Sequence, residues 1–300
     1  MPAAKLIHAL VTDTGHVRSQ NEDVADAAPN LGAYVVCDGM GGASGGEVAS
    51  GLAVETFLEH LHASEPASDG EVLGGAALNG ATSNGVSVAR VRPGGAFSKP
   101  QTRLHAAVYA ANLAVLEQAN ARPELAGMGT TMVALLHVPG PEKDRRSSPR
   151  SSRPQFVTPP TLFLANVGDS RCYRWRGGEL LQLSTDHSFV EEQVLAGQIT
   201  ADQAAVSPMR HYITRAIGSQ PHIEPDVQSY RPQIGDLYLL ATDGLTRELP
   251  NSRIAELLRG LIRVPAPSAA DLEVACQGLV DAANESGGRD NITLLLLAFG

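Results

Sequence analysis

Apolar and polar positions along the chain alternate between short solid apolar runs that end on acidic residues and longer stretches of helical period. The run at 34–37, Tyr-Val-Val-Cys, reads as a buried strand that stops at Asp38-Gly39. A glycine-dense turn follows, with Gly41, Gly42, Gly45 and Gly46, and from Glu47 the apolar residues Val54, Phe57, Leu58 and Leu61 fall on one helical face. A second helix is predicted around 104–115, where Leu104, Ala107, Val108, Ala111 and Val115 share a face ahead of Pro123. Further strands are predicted over 5–13, 131–138, 161–167, 171–175, 180–183, 237–241 and 292–298, with a tight hairpin through Gly177-Gly178. Helical patterns cover 252–263 and 269–284. Strands arrive in groups and helices in pairs, which argues for sheets packed on each other with helices outside.

Three stretches break the pattern. Residues 63–101 are rich in Gly, Ala, Ser, Asn and Pro and read as an irregular insertion. Residues 140–160 are charged and rich in Ser and Pro; the basic cluster Lys143, Arg145, Arg146, Arg150 and Arg153 suits an acidic partner or a modification site, and the composition favours a solvated loop with no dedicated role. Residues 189–219 are polar, partly helical and broken by Pro208, as a flap over a site would be.

The acidic residues carry the chemistry. Asp-Gly after a strand is by itself a turn signal, but the echo at Asp243-Gly244 weakens that reading. Asp169 follows a third strand, Asp290 precedes the last one, and Glu22 and Asp23 follow the first. Five acidic sites at strand ends, with almost no Cys or His beside them, suit hard divalent cations such as Mg²⁺ or Mn²⁺. The glycines match neither a dinucleotide fingerprint nor a nucleotide P-loop. Arg18 is either a surface partner of Glu22, four residues on, or a forked ligand for an oxyanion. His187 reads as structural or capping, since no second histidine lies at ligand spacing.

Composition narrows the classes. The 300 residues suffice for a large core, and the net charge of −9 argues against a general nucleic-acid binder. Cys37, Cys172 and Cys276 are widely spaced, form no zinc pattern and suit a reducing compartment. No secretory leader and no bilayer-length apolar run are visible, so a soluble, cytoplasmic protein without membrane insertion is expected.

The segments RSQNED, VCDGMGG, MGTT, NVGDSR, TDHS, ATDGL and GGRDN follow one another in the order and approximate spacing of the bacterial metal-dependent type 2C Ser/Thr protein phosphatases, which the chain resembles over nearly its whole length. The resemblance implies an α+β fold, a four-layer α-β-β-α sandwich of two antiparallel sheets, in a single catalytic domain with a binuclear metal site at one end. It implies that Asp38 bridges two Mn²⁺ or Mg²⁺ ions, that the Gly39 carbonyl, Asp243 and Asp290 are further ligands, and that Glu22 and Asp23 act through water. Asp169, with Asp243, would hold a weaker third ion, and Arg18 would bind the substrate phosphate. The reaction implied is hydrolysis of phosphoserine and phosphothreonine by in-line attack of a metal-bridging hydroxide. Phosphoprotein substrates, a Ser/Thr kinase as counterpart and a monomeric state go with it. A phosphoprotein-binding pseudoenzyme and a dedicated partner-switching phosphatase are the rival readings. Met40, Ala43 and Ser207 stand where family members often carry His; with Met40 and Ala43 unable to donate, the leaving-group proton is expected to come from water, with His16 and His187 as the alternative donors, while Ser207 bears on the behaviour of the flap.

Overall fold

The structure is a computed structural model that describes residues 6–41, 45–64, 82–83, 86–87, 98–140, 159–262 and 266–300. The chain opens with β1 (Leu6–Asp13), β2 (Asp23–Ala28) and β3 (Ala33–Met40), then α1 (Gly45–Ala63). A two-stranded ribbon, β4 (Thr82–Ser83) with β5 (Val86–Ser87), precedes α2 (Lys99–Ala121). Next come β6 (Gly129–Thr130), β7 (Met132–Val138), β8 (Thr161–Val167), β9 (Arg171–Arg176) and β10 (Glu179–Gln182). The region read as a flap holds α3 (Phe189–Leu195) and α4 (Ala201–Ala205). β11 (Asp226–Tyr230), β12 (Leu237–Ala241), α5 (Asp243–Glu248), α6 (Asn251–Leu261), α7 (Ala269–Glu285) and β13 (Ile292–Phe299) complete it.

One sheet runs β1-β13-β12-β9-β10 and the other β11-β8-β7-β3-β2, with β6 beside β3; every pairing is antiparallel. Their inner faces meet through Tyr34, Val36, Val133, Leu135 and Leu164 from one sheet and Cys172, Tyr238, Leu240, Leu295 and Leu297 from the other. The alternate residues face outward onto helices. Val35, Cys37, Ala134 and Leu136 pack under α1 and α2, through Phe57, Leu61, Leu104 and Val108. Leu239, Ala241, Leu294 and Leu296 pack under α5–α7, through Leu245, Leu258, Leu272 and Leu279. With both faces of each sheet covered, the central strands are apolar on both faces over most of their length, which is why they read as solid runs and not as alternation. This is the expected α-β-β-α arrangement.

The differences from the sequence reading have local causes. β3 continues through Asp38-Gly39 to Met40 because β2 pairs with it on one side, Asp23 opposite Asp38, and β6 on the other, Thr130 opposite Gly39. α2 starts at Lys99, inside the stretch read as irregular to 101; the Ser98 N–H donates to Gln101 Oε1 at 3.0 Å across its first turn. β2 and β11 were not anticipated. Both lie at a sheet edge and carry polar residues such as Asp26 and Gln228, so their apolar content is low. The hairpin joining β9 to β10 turns on Gly177 and Gly178, both at positive φ, as a two-residue turn requires. Most of the 63–101 insertion and the 141–158 loop lie outside the described residues.

Candidate metal centre

The site is built from strand ends. Asp38 comes from β3, Asp169 from the turn after β8, Asp243 from the first turn of α5, and Asp290 from the link between α7 and β13. Glu22 lies just before β2. All five line one open cleft of about 580 Å³, together with Arg18, Gly39 and Met40. The sequence reading thus brought together every candidate except Asp23, which is 6% exposed and lies outside the cleft lining. Thr242 Oγ1 donates to its Oδ2 at 2.8 Å.

Close packing of backbone fixes these positions. The Gly39 N–H donates to the Glu22 carbonyl at 3.1 Å, and a Cβ on Gly39 would stand 2.1 Å from the Gly46 carbonyl oxygen. A Cβ on Gly46 would stand 2.6 Å from the Glu22 carboxyl. Gly39 and Gly46 therefore make room for the Glu22 segment and its carboxylate. Asn291, unremarked in the sequence, ties the acidic loops together. Its side-chain NH₂ donates to the Thr14 and Gln20 carbonyls at 2.9 Å each, and its Oδ1 accepts from the Glu22 N–H at 2.9 Å. Thr131 does the same for Asp38: its Oγ1 accepts from the Asp38 N–H at 3.0 Å, and its N–H donates to the Asp38 carbonyl at 2.9 Å.

The carboxylates are electrostatically crowded. Burial pushes the pKa of Asp38 well above the usual carboxylate range, and repulsion from Asp243, Asp23, Asp169 and Asp290 adds to it. Asp243 is raised likewise, by burial and then Asp169, against the pull of Arg247. Asp23 is raised to about 7, by burial first and by Asp290, against hydrogen bonds from Thr242 and Thr293. Such a set is short of positive charge.

Two arginines supply part of it. Arg18 donates to Asp290 Oδ2 at 2.9 Å, a contact across the cleft and not the surface pair with Glu22 that was one of its two sequence readings. Arg247 pairs with Asp243 and stands 3.7 Å from Asp169 and 3.5 Å from Asp290. Among the described residues no three acidic, His or Cys side chains already close as a metal-ligand group; at Asp169, Asp243 and Asp290 a guanidinium stands between them. Hard oxygen donors, buried and mutually repelling, with cationic groups drawn into their midst, fit divalent cations.

Of the histidines, His187 is buried and structural: its Nδ1 accepts from the Gly168 N–H at 3.1 Å and its Nε2 lies 3.4 Å from Asp226. His16, whose N–H donates to the Gly288 carbonyl, is not among the lining residues. The sequence reading missed His211, an exposed flap residue that does line the cleft. Nothing in its local pattern marks it. Arg247 was missed too, although its place four residues after Asp243 is a legible helical spacing.

No family model matches the chain. Serine/threonine protein phosphatase PstP of Mycobacterium tuberculosis H37Rv is 32% identical over 97% of the chain, which spans 44% of that relative. The crystal structure of the M. tuberculosis phosphatase PstP/Ppp shares 30% identity and a TM-score of 0.70, with 98% of each chain covered. The chain belongs to the bacterial type 2C Ser/Thr protein phosphatase family. A further structure of this family, the catalytic domain of PstP in complex with two manganese ions, is 30% identical with a TM-score of 0.70 and covers 99% of each chain. Family membership accounts for the sandwich and for the meeting of distant acidic loops at one of its ends. Among the described residues, no helix is long and apolar enough to cross a membrane.

Proposed function

We propose that this protein is a Mn²⁺- or Mg²⁺-dependent phosphatase that hydrolyses phosphoserine and phosphothreonine in proteins. The observation that carries the reading is the convergence of Asp38, Asp243, Asp290 and Glu22 in one cleft, where desolvation and the charges of neighbouring carboxylates oppose ionisation of Asp38 and Asp243. A pure phosphoprotein binder has no use for such a set, which raises the energy of the metal-free fold. The two-manganese complex of PstP supports the choice of ion.

Asp38 would be shared by two ions, with the Gly39 carbonyl, Asp243 and Asp290 completing the direct ligands, and Glu22 and Asp23 acting through water. A weaker ion at Asp169 and Asp243 would have to displace Arg247. Bound divalent ions supply charge that screens a phosphate dianion and lowers the pKa of water. The protein's own groups hold and orient. The half-exposed guanidinium of Arg18 stands at the cleft and offers two N–H groups to phosphoryl oxygens. Asn291 and Thr131 fix the loops that bear Glu22 and Asp38. Met40 lines the cleft and has no proton to give, so the leaving group takes its proton from water.

One catalytic domain is the reading for the described chain, because β1 and β13, at its two ends, pair with each other. Phosphoproteins, among them a Ser/Thr kinase, are the proposed substrates, and a monomer the proposed state. The test is phosphate release from a phosphothreonine peptide with and without Mn²⁺. Release that requires the ion is expected; peptide binding without release at any metal concentration would favour the binding module.

A further inference from the structure

Arg247 stands one helical turn after Asp243 on α5, so the two side chains share a face. Its Nη2 faces Oδ2 of Asp243 and, at 3.7 Å, Oδ2 of Asp169, while its Nη1 lies 3.5 Å from Oδ2 of Asp290. The three carboxylates come from three separate segments: the turn after β8, the first turn of α5 and the link before β13. The side chains of Asp169 and Asp243 are 12% and 10% exposed and that of Arg247 36%, so the arginine reaches in from the solvent side and covers the pair. One nitrogen standing between two buried carboxylate oxygens is the position a bridging cation would take.

We propose that Arg247 is a tethered cation that fills the position between Asp169 and Asp243 and excludes a divalent ion from it, so that the protein binds two ions and not three. The proposal rests on the metal reading above. Three properties of the guanidinium support it. It cannot be deprotonated, so no ordinary pH frees the position. Its planar fork presents several donors to carboxylates at once. Its attachment to the helix that bears Asp243 gives it a high effective concentration there, which an ion at micromolar level must outcompete. The core ligands remain open to ions. Asp243 keeps Oδ1, since the contact to Arg247 is through Oδ2, and Asp290 has Arg18 at 2.9 Å as its closer cationic partner. Asp169 is thereby a positioning residue, holding Arg247 beside the centre.

The experiment is ion counting on the full chain stripped with EDTA: equilibrium dialysis against Mn²⁺, with isothermal titration for affinities and circular dichroism for the fold. Wild type should saturate at two ions. Arg247→Ala and Arg247→Asn should saturate at three, the added ion being the weakest. Arg247→Lys should return the count to two, as should Arg247→Ala combined with Asp169→Asn. The asparagine variant keeps a polar side chain and serves if the alanine variant misfolds. Three ions in wild type, or two in both Arg247→Ala and Arg247→Asn, would overturn the proposal and leave the reading of the cleft as a divalent-metal site standing. A wild type that binds no Mn²⁺ would overturn the metal-site reading and the proposal with it.

Discussion

Replacing Asp23 with Asn should make the metal-free protein more stable, by an amount that depends on pH. Asp23 is almost fully buried, and burial, with repulsion from Asp290, holds its pKa at about 7 against an ordinary 3.8. The folded protein therefore keeps a proton on Asp23 over a range where the unfolded chain has lost it. Its contribution to stability is fully present below about pH 4 and is lost as pH rises through about 7. Roughly three units at about 1.36 kcal/mol each set a ceiling near 4 kcal/mol, of which roughly 2–3 kcal/mol falls between pH 5 and 8. Asparagine is nearly isosteric, carries no charge and can still accept the Thr242 hydroxyl proton. The assay is urea unfolding of both EDTA-treated proteins at pH 5, 6, 7 and 8. Comparing the two proteins isolates the charge of Asp23, together with its repulsion of Asp38, Asp243 and Asp290. The advantage of Asp23→Asn should widen steadily with pH and shrink in excess Mn²⁺, where bound cations stabilise the carboxylate. A gap constant across the range would refute the reasoning, because it would mean that Asp23 is as ionised when folded as when unfolded.

Asp38→Ala and Asp243→Ala should each abolish phosphate release and the thermal stabilisation produced by Mn²⁺ while leaving a folded protein; a near-normal rate in either, with carried-over metal excluded, would remove that residue from the centre. Arg18→Ala should raise KM for a phosphopeptide by ten-fold or more, as loss of a charged hydrogen bond of about 1.5–3 kcal/mol implies, and an unchanged KM would assign Arg18 to Asp290 alone. His211 has its pKa lowered by partial desolvation and by Arg247 and Arg210, so it is largely neutral at pH 7 and poorly suited to donate a proton. His211→Ala should therefore retain the descending limb of the pH–rate profile on a phosphoserine peptide; loss of that limb, with an aryl ester unaffected, would make His211 the acid. Deleting 142–153 should not change turnover of a small aryl phosphate: β7 and β8 bear the cleft residues beside Met132 and Val167 and are joined from their other ends, Val138 and Thr161. A large fall in rate would show that the loop reaches the site.

The central strands were legible because two-sided burial makes them solidly apolar, and the acidic site because its residues sit where such strands stop. β2 and β11 were not, since an edge strand such as Asp23–Ala28 is chosen by its neighbour and not by its own hydrophobicity. The same limit applies to the site. Asp38, Asp243 and Asp290 announce themselves through flanking glycines and strand ends. The pairing of Arg18 with Asp290, 272 positions away, has no local signature. Spacing left Arg18 open between a partnership with Glu22 and an oxyanion site, and the topology set it against Asp290. His211 reaches the cleft because of the path of the flap, which no periodicity encodes.

The pairing of β1 with β13 also sets an order of events during synthesis. β13 lies between β1 and β12, so β1 has no neighbour in its sheet until β13 is made. Contacts of such long sequence separation form slowly and late. Asp290 and Asn291 lie just ahead of that strand, and Asn291 ties down the loops of Thr14, Gln20 and Glu22. A nascent chain therefore carries Asp38, Asp169 and Asp243 without the residues that complete the acidic set, and a chain cut short before residue 290 leaves its opening strand an unpaired, sticky edge. Assembly of the centre thus waits on one late segment: the acidic cleft is finished only when the residues just ahead of β13 are in place and that strand has paired with β1.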